Sequence, residues 1–201
     1  MSGKYQHKDK GYHQAKEQGY RCRAALKLLE IQKKYNLIRK GNCVVDLGCD
    51  PGGWLQVAGP LVGDSGLVIG VDLVKSNPLP NSWVKIIQGD FLQSETLRLI
   101  DEELSGRHVQ VVLSDMSPKL TGIRFADIAA SCELVESALE FCKAKLQPNG
   151  WFVAKVFPGQ ETEDFHKQLK SLFKVVNRSY LDSSRKTSSE FYFICQGFQN
   201  K

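Results

Sequence analysis

The chain has 201 residues, of which 42% are hydrophobic and 24% are charged, and its net charge is +5. These totals are typical of a globular protein with room for one well-buried domain. They exclude a helical membrane protein, because no apolar run approaches the roughly 18 residues of a membrane span, and the N-terminal region lacks the apolar segment of a secretory signal. We therefore expect no membrane partner and a cytoplasmic location, with the mitochondrial matrix as the alternative.

The positive charge is concentrated at the N-terminus. Residues 1–40 contain eleven Lys and Arg residues against three Asp and Glu, a local charge of +8, whereas residues 41–201 contain sixteen against nineteen, a local charge of −3. This asymmetry predicts a basic N-terminal extension, residues 1–40, that contacts a polyanion, followed by a single domain, residues 41–201. A solvated basic tail is the alternative. Within the extension, apolar residues at helical spacing predict one helix over residues 11–35.

After Gly41, short β-branched segments alternate with helical segments. The predicted strands are residues 43–48, 67–73, 84–90, 109–115, 150–157, 174–180 and 190–198. The predicted helices are residues 53–62, 94–104, 124–146 and 161–172. This alternation predicts an α/β fold, a mostly parallel seven-stranded sheet with helices on both faces. The last two strands leave no room for a helix between them, so they should pair antiparallel and give one reversed strand.

Residues 43–54, CVVDLGCDPGGW, form the most informative segment. An apolar strand ends near an acid and turns through glycines into a helix, an arrangement that receives a nucleotide-like cofactor on free backbone N–H groups. The spacing is not the G-x-G-x-x-G of a dinucleotide site, and Asp46 is a poor neighbour for a pyrophosphate. A carboxylate suits the cationic amine and sulfonium of S-adenosylmethionine (SAM). The segment therefore predicts SAM contacts at Asp46, Gly48, Gly52 and Gly53, with a purely structural turn as the alternative.

Charged side chains end five predicted strands, at the sheet edge where open α/β folds bind ligands. They are Asp46, Asp72, Asp90, Asp115 and Lys155. Asp72 lies 24 residues past Gly48, close to the spacing of a ribose-binding acid. Asp90 is suited to the exocyclic amine of adenine, with Phe91 beside the ring, and Asp115 should lie nearest the sulfonium and the methyl acceptor. Each acid could instead be an ordinary polar residue at a turn.

Lys155 is a candidate functional residue because of its neighbours. It lies within the apolar segment WFVAKVF, residues 151–157. Burying a lysine there is costly unless the ammonium is paired or functional.

The histidines and cysteines indicate no metal site, because their spacing matches no ligand pattern. The six cysteines fall mostly in apolar segments and are expected to be reduced core residues. For Cys49, inside the glycine-rich segment, a reactive thiol is the alternative.

Six segments in order resemble the FtsJ family of RNA ribose 2′-O-methyltransferases, over nearly the whole chain. They are residues 21–28 (RCRAALKL), 46–54 (DLGCDPGGW), 88–91 (QGDF), 114–118 (SDMSP), 154–157 (AKVF) and 183–190 (SSRKTSSE). The resemblance implies the Rossmann-like fold of SAM-dependent methyltransferases. It implies a catalytic set of Lys27, Asp115, Lys155 and Glu190. It also implies SAM contacts at Gly52, Trp54, Asp72, Asp90 and Asp115.

The chain departs from the family pattern at two positions. Asp50 stands where the family commonly has alanine, and Leu26 stands where an aromatic residue is common before the lysine. The first departure could alter cofactor affinity, and neither removes a catalytic group.

The chemistry of the implied reaction assigns a role to each catalytic residue. A ribose 2′-hydroxyl is a poor nucleophile, so its methylation requires alignment with the S–CH₃ bond and removal of its proton. We expect Lys155 to be the base or the group that orients the hydroxyl. Lysine is a base only when neutral, a form that Lys27 and partial burial favour and that Asp115 opposes. Lys27 should also position the ribose, and Glu190 with Asp115 should fix the lysine geometry.

The resemblance implies an RNA partner and a monomeric enzyme. The expected target is a uridine in large-subunit ribosomal RNA, within an assembled particle. Transfer RNA or a cap is the alternative, because the same four residues serve those substrates. A non-catalytic SAM- or RNA-binding module is disfavoured, since binding RNA needs no buried Lys155. A small-molecule methyltransferase is disfavoured by the basic extension.

Overall fold

The computed structural model of the chain describes residues 10–185 and 188–199. Its helices are α1 (Lys10–Glu17), α2 (Ala24–Tyr35), α3 (Gly53–Val62), α4 (Ser94–Leu104), α5 (Arg124–Lys145) and α6 (Gln160–Leu172). Its strands are β1 (Cys43–Leu47), β2 (Leu67–Asp72), β3 (Val84–Gln88), β4 (Val109–Ser114), β5 (Leu146–Val156), β6 (Phe173–Ser179) and β7 (Phe191–Phe198). No helix within these ranges is long and apolar enough to cross a lipid bilayer. Lys4 and Lys8 of the predicted extension, and Lys186, lie outside the described residues.

The strands form one seven-stranded sheet in the order β3-β2-β1-β4-β5-β7-β6. The pairs β1/β2, β1/β4, β2/β3 and β4/β5 are parallel. Strand β7 runs antiparallel to both of its neighbours, β5 and β6. The predicted Rossmann-like α/β sheet with a reversed strand is confirmed. The strand order changes direction between β1 and β4, and in open α/β sheets ligands bind at the carboxyl ends of the strands beside such a switch point.

The predicted single helix over residues 11–35 is wrong. The segment forms two helices, α1 and α2, separated by residues 18–23. Gly19 adopts a φ of 78°, and the N–H groups of Gly19 and Tyr20 donate to the carbonyls of Lys16 and Ala15 to end α1. The predicted strand 84–90 also ends earlier, at Gln88, so Asp90 lies in the following turn.

Each face of the sheet packs against its own set of helices. On one face, Leu28 and Ile31 of α2 pack with Leu55 of α3 in a continuous apolar cluster. On the other face, residues of α4, α5 and α6 form the second cluster. Each fully buried leucine or isoleucine contributes roughly 1.5–3 kcal/mol relative to exposure. Helix α2 is therefore fixed to the body, which sets the position of any side chain that it presents to the switch point.

Candidate active site

Lys155 and Asp115 form the centre of the site, at the carboxyl ends of β5 and β4. Lys155 is 7% exposed, and its Nζ donates to the backbone oxygen of Asp115 at 2.6 Å. The same Nζ lies 3.1 Å from Asp115 Oδ1. Ser114 pairs with Ala154 in the parallel register. The residues that follow them, Asp115 and Lys155, therefore lie next to each other. The buried ammonium is thus paired, as the cost of burying a charge requires.

Lys27 and Glu190 extend this pair to a cluster of four. Lys27 Nζ lies 2.6 Å from Glu190 Oε1 and 3.6 Å from Asp115 Oδ1. Lys27 comes from α2 and Glu190 directly precedes β7. The structure therefore brings together all four residues of the predicted catalytic set.

Neighbouring side chains fix the two outer members of the cluster. The Trp54 indole donates to the backbone oxygen of Ala24 at 2.8 Å, which ties the start of α2 to α3 one turn before Lys27. The Ser184 hydroxyl donates to Glu190 Oε1 at 2.8 Å. Neighbouring groups therefore restrain both partners of the Lys27–Glu190 ion pair.

The electrostatics of the cluster favour two charged carboxylates. Burial raises the pKa of Asp115, but the nearby charges of Lys155 and Lys27 and a hydrogen bond from Tyr192 outweigh burial and leave that pKa below its usual value. Burial also raises the pKa of Glu190, and Lys27 again outweighs it and lowers the pKa. The two carboxylates consequently balance the charges of the two lysines within the fold.

Asp46 of β1 is a buried carboxylate with an unused oxygen. Its side chain is 2% exposed, and its Oδ2 has no hydrogen-bond partner among the described residues. Burial, followed by the charges of Asp115 and Asp72, raises the pKa of Asp46 well above its usual value. An oxygen of this kind calls for a cationic donor from outside the chain, because unpartnered buried polar groups are costly. The amine of SAM fits that requirement.

Asp72, at the end of β2, orders the loops around it. Its Oδ2 accepts the N–H of Asp50 at 2.8 Å, and its Oδ1 accepts the N–H of Val74 at 2.9 Å. A carboxylate has about four acceptor positions, so these two bonds leave capacity for ribose hydroxyls. Exposed Leu73 and Val74 follow directly and offer apolar surface at this edge.

Asp90 and Phe91 differ in how well they fit the predicted contact with adenine. Asp90 Oδ1 accepts the N–H of Leu92 at 2.9 Å in a tight turn, which leaves its second oxygen able to accept another donor. The Phe91 ring packs into the core, edge-to-face with Phe141 at a centroid distance of 6.3 Å. Exposed Leu92 is better placed than Phe91 to offer apolar surface beside Asp90.

The glycines after β1 make room for protein as well as for ligand. Gly48 and Gly52 adopt φ of 76° and 97°, backbone conformations that residues other than glycine rarely adopt. A Cβ on Gly48 would lie 2.3 Å from Met116 Cγ, and one on Gly53 would lie 2.4 Å from Cys22 Sγ. The loop is therefore packed against the segments that carry Asp115 and Lys27. The first N–H groups of α3, including that of Trp54, remain available to an anion such as a carboxylate, whereas the Trp54 indole is buried.

Two further predictions concern the thiol of Cys49 and a metal site. Cys49 is buried, and burial raises the pKa of its thiol, followed by the effect of nearby Asp46. A reactive thiolate is therefore disfavoured there. Within residues 10–185 and 188–199, no cluster of three or more His, Cys, Asp or Glu side chains is arranged to hold a metal ion.

A cleft of about 1490 Å³ reaches the two outer members of the cluster on the acceptor side. Lys27 and Glu190 line it, together with residues of α1, the segment after β4 and residues 182–189. Its basic lining residues are Lys10, Arg23, Lys27, Arg124 and Arg185. Four acids, Glu30, Asp127, Asp182 and Glu190, line it as well, so the cleft is wide and mixed in charge, with five cations available to the phosphates of a polyanionic acceptor.

Comparison with known proteins identifies this arrangement. The sequence model of the FtsJ-like methyltransferase family matches residues 20–198. The chain belongs to the FtsJ-like methyltransferase family. A protein of Alkalilimnicola ehrlichii named ribosomal RNA large subunit methyltransferase E is 46% identical over 192 residues, covering 96% of this chain and 91% of its own. A protein of the same name from Dechloromonas aromatica is 44% identical over 180 residues, covering 90% and 87%.

One solved structure agrees with this assignment. A Plasmodium falciparum protein assigned as a ribosomal RNA methyltransferase has a TM-score of 0.78 and 29% identity, covering 89% of this chain and 98% of its own. The chain is thus an FtsJ-like enzyme that transfers a methyl group.

The two departures from the FtsJ pattern have different surroundings. Asp50 Oδ1 accepts the Ser76 hydroxyl at 2.5 Å and so ties the glycine-rich loop to the loop after β2. Leu26 is nearly buried and lines the acceptor cleft. The first departure therefore concerns the cofactor side of this FtsJ-like site, and the second concerns the acceptor side.

Tyr192 is a residue of the site that sequence reasoning missed. Its buried hydroxyl donates to Asp115 Oδ1 at 2.6 Å, and Lys27 Nζ lies 5.5 Å from its ring centroid. Within the apolar strand β7 it looks like a core residue. The available signal was its position two residues after Glu190, since side chains two apart on a strand share a face.

Proposed function

We propose that the chain transfers the methyl group of SAM to a ribose 2′-hydroxyl in large-subunit ribosomal RNA. The observation that carries the proposal is the buried Lys155, whose Nζ contacts two oxygens of Asp115 and which belongs to the same cluster as Lys27 and Glu190, two residues that line a cleft wide enough for RNA. The names of the relatives support ribosomal RNA as the substrate class. With that substrate the enzyme would act where ribosomes are assembled, in the cytoplasm or, as the alternative, in the mitochondrial matrix.

The residues of the cofactor side fit SAM by their donor and acceptor chemistry. Asp46 would take the amine, Asp72 the ribose hydroxyls and Asp90 the adenine amine, while the backbone of Gly48, Gly52, Gly53 and Trp54 would border the methionine part. When bound, SAM supplies an electrophilic methyl group on its sulfonium.

Lys155 can take the proton of the hydroxyl because of how Asp115 holds it. To act as a base, the paired ammonium must first lose one proton to solvent, and the neutral amine that results has two N–H donors and one lone pair. The two acceptors of Asp115, at 2.6 Å and 3.1 Å, occupy both donors, which leaves the lone pair for a third partner. A ribose hydroxyl placed there would lose its proton to Lys155 as its oxygen bonds to the methyl carbon, while the bond from that carbon to sulfur breaks and its electron pair stays on the sulfur of the departing thioether.

Lys27 and Glu190 would position the acceptor rather than take its proton. Lys27 places a second positive charge 3.6 Å from Asp115 Oδ1, so both lysines share that carboxylate oxygen. Glu190 restrains Lys27 at 2.6 Å and keeps it at the mouth of the cleft. We further propose that residues 1–40 form a basic extension that adds RNA affinity, since α1 lines the same cleft.

Mapping of 2′-O-methyl groups tests the proposed function. Large-subunit particles and naked RNA from cells that lack the gene are incubated with the purified protein and SAM, with the Lys155→Ala variant as the matched control. We expect one new 2′-O-methyl group in large-subunit RNA with the wild type and none with the variant. A modified transfer RNA or cap, with ribosomal RNA untouched, would overturn the assigned substrate. No modified RNA of any kind would overturn the assigned reaction.

A further inference from the structure

Three large apolar side chains are exposed within six residues of chain after β4. Leu120 is 61% exposed, Ile123 is 53% exposed and Phe125 is 75% exposed. They belong to a segment, residues 117–125, that we call the rim segment. Scattered exposed apolar residues are ordinary, but three so close together indicate a contact surface.

The rim segment is held in a defined conformation. Asp127 of α5 accepts the N–H and the hydroxyl of Thr121, both at 2.8 Å, and the N–H of Gly122 at 3.2 Å. Gly122 adopts a φ of 83°. A surface that is already ordered loses less conformational entropy when a ligand binds to it.

The rim segment borders the acceptor cleft. It begins two residues after Asp115, and Leu120, Gly122 and Arg124 line the same cleft as Lys27. Arg124 makes no ion pair with any described residue. Apolar surface and an available cation therefore lie side by side at the cleft that Lys27 lines.

We propose that the rim segment is a nucleobase subsite. Leu120, Ile123 and Phe125 would take an unpaired base next to the methylated ribose, and Arg124 would hold a phosphate of the same strand. This inference rests on the proposed function, because it names how the RNA acceptor is held.

The chemistry favours a base over a protein partner. Single-stranded RNA is bound by aromatic and apolar side chains that stack on bases, beside cations that contact phosphates. The basic side chains of the cleft supply that second component.

Binding of single-stranded RNA at several salt concentrations tests the subsite. The probe is a fluorescent RNA of about 12 nucleotides, within the length that one groove occupies. Phe125→Ala should weaken binding about tenfold at every salt concentration, since stacking is not ionic. Arg124→Gln should instead lower the log–log salt slope by about 0.7. Tyr180→Ala, which removes an exposed aromatic outside the rim segment, is the matched control and should change neither quantity.

Several outcomes would overturn the subsite while leaving the proposed function intact. One is wild-type RNA affinity in both Phe125→Ala and Leu120→Ser. Another is a Phe125 effect that appears only with assembled particles and not with RNA, which would assign the rim segment to a ribosomal protein. Failure of the wild type to methylate RNA at all would instead overturn the proposed function, and the mapping experiment reports that result separately.

Discussion

Lys155 and Tyr192 lie directly opposite each other on the antiparallel strands β5 and β7, and both reach the same oxygen of Asp115. The distances to Asp115 Oδ1 are 3.1 Å from Lys155 Nζ and 2.6 Å from the Tyr192 hydroxyl. Burial raises the pKa of Tyr192 well above its usual value, so its hydroxyl stays a donor. Tyr192 therefore fixes the carboxylate that fixes the lysine, and we assign it as a positioning residue.

Replacing Tyr192 by Phe tests that assignment. The change removes one of the three groups that hold Asp115 Oδ1, so the single-turnover rate of methyl transfer should fall about tenfold, equivalent to about 1.4 kcal/mol of barrier. SAM affinity should be unchanged, and the free energy of unfolding should fall by about 1 kcal/mol for the lost hydrogen bond. Tyr180→Phe serves as the control for loss of a phenol. A wild-type rate in Tyr192→Phe would contradict the assignment.

The raised pKa of Asp46 predicts that SAM binding is linked to a proton. Without ligand the buried carboxyl favours its protonated form, whereas a cationic amine favours the ionised form. Binding should therefore release a proton, and SAM affinity should increase as pH rises toward the raised pKa of Asp46. Titration calorimetry in buffers of different ionisation enthalpy measures this release.

The matched control for that measurement is Asp46→Asn, which has no proton to lose. Its SAM binding should be weaker and should show no buffer dependence. Affinity of the wild type that is independent of pH and buffer would show that Asp46 does not face the amine.

Asp72 and Asp50 should differ in their effects on SAM affinity. Asp72→Ala removes the carboxylate assigned to the ribose, a charged hydrogen bond worth roughly 1.5–3 kcal/mol. Asp50→Ala removes only the bond to Ser76 and keeps the backbone N–H that donates to Asp72. Calorimetry should show the larger loss for Asp72→Ala. Equal losses would indicate that loop order, not ribose binding, explains the role of Asp72.

Removing residues 1–20 should weaken RNA binding without changing SAM affinity. Each lysine that neutralises a phosphate contributes roughly 0.7–0.9 to the log–log salt slope, and the deleted lysines are Lys4, Lys8, Lys10 and Lys16. The slope should fall by one to about 3 units, because Asp9 and Glu17 are lost as well. The thermal unfolding temperature controls for the loss of α1. An unchanged slope would show that the extension is a solvated tail.

The sheet could be predicted from the sequence because short β-branched segments alternate regularly with helical segments. The prediction was wrong where a single residue ends a helix although the apolar spacing continues. Gly19 ends α1 by adopting a left-handed conformation, while the apolar spacing continues across the break. The strand-end acids of the site followed from the βα alternation alone. Lys27 and Glu190 did not, since their pairing joins the first part of the chain to the last and needed the family resemblance.

Two side chains show what a linear pattern cannot resolve. Because Phe91 follows Asp90, the sequence predicts that it lies beside the adenine ring, yet its ring packs against Phe141 of helix α5, far along the chain. Tyr192 sits in an apolar strand, yet its hydroxyl completes the cluster around Asp115. The residue that each ring or hydroxyl contacts lies far along the chain, so a sequence pattern alone does not show the contact.

The most direct test of the account is the single-turnover rate of Lys155→Ala, measured beside its SAM affinity. The fold should tolerate the change, because Asp115 keeps the Tyr192 hydroxyl at 2.6 Å and Lys27 at 3.6 Å. Methyl transfer to ribosomal RNA should be abolished while SAM affinity stays within a few-fold of the wild type, since Lys155 serves the acceptor. A near-normal single-turnover rate in this variant would contradict the central claim that Lys155 handles the proton of the ribose hydroxyl.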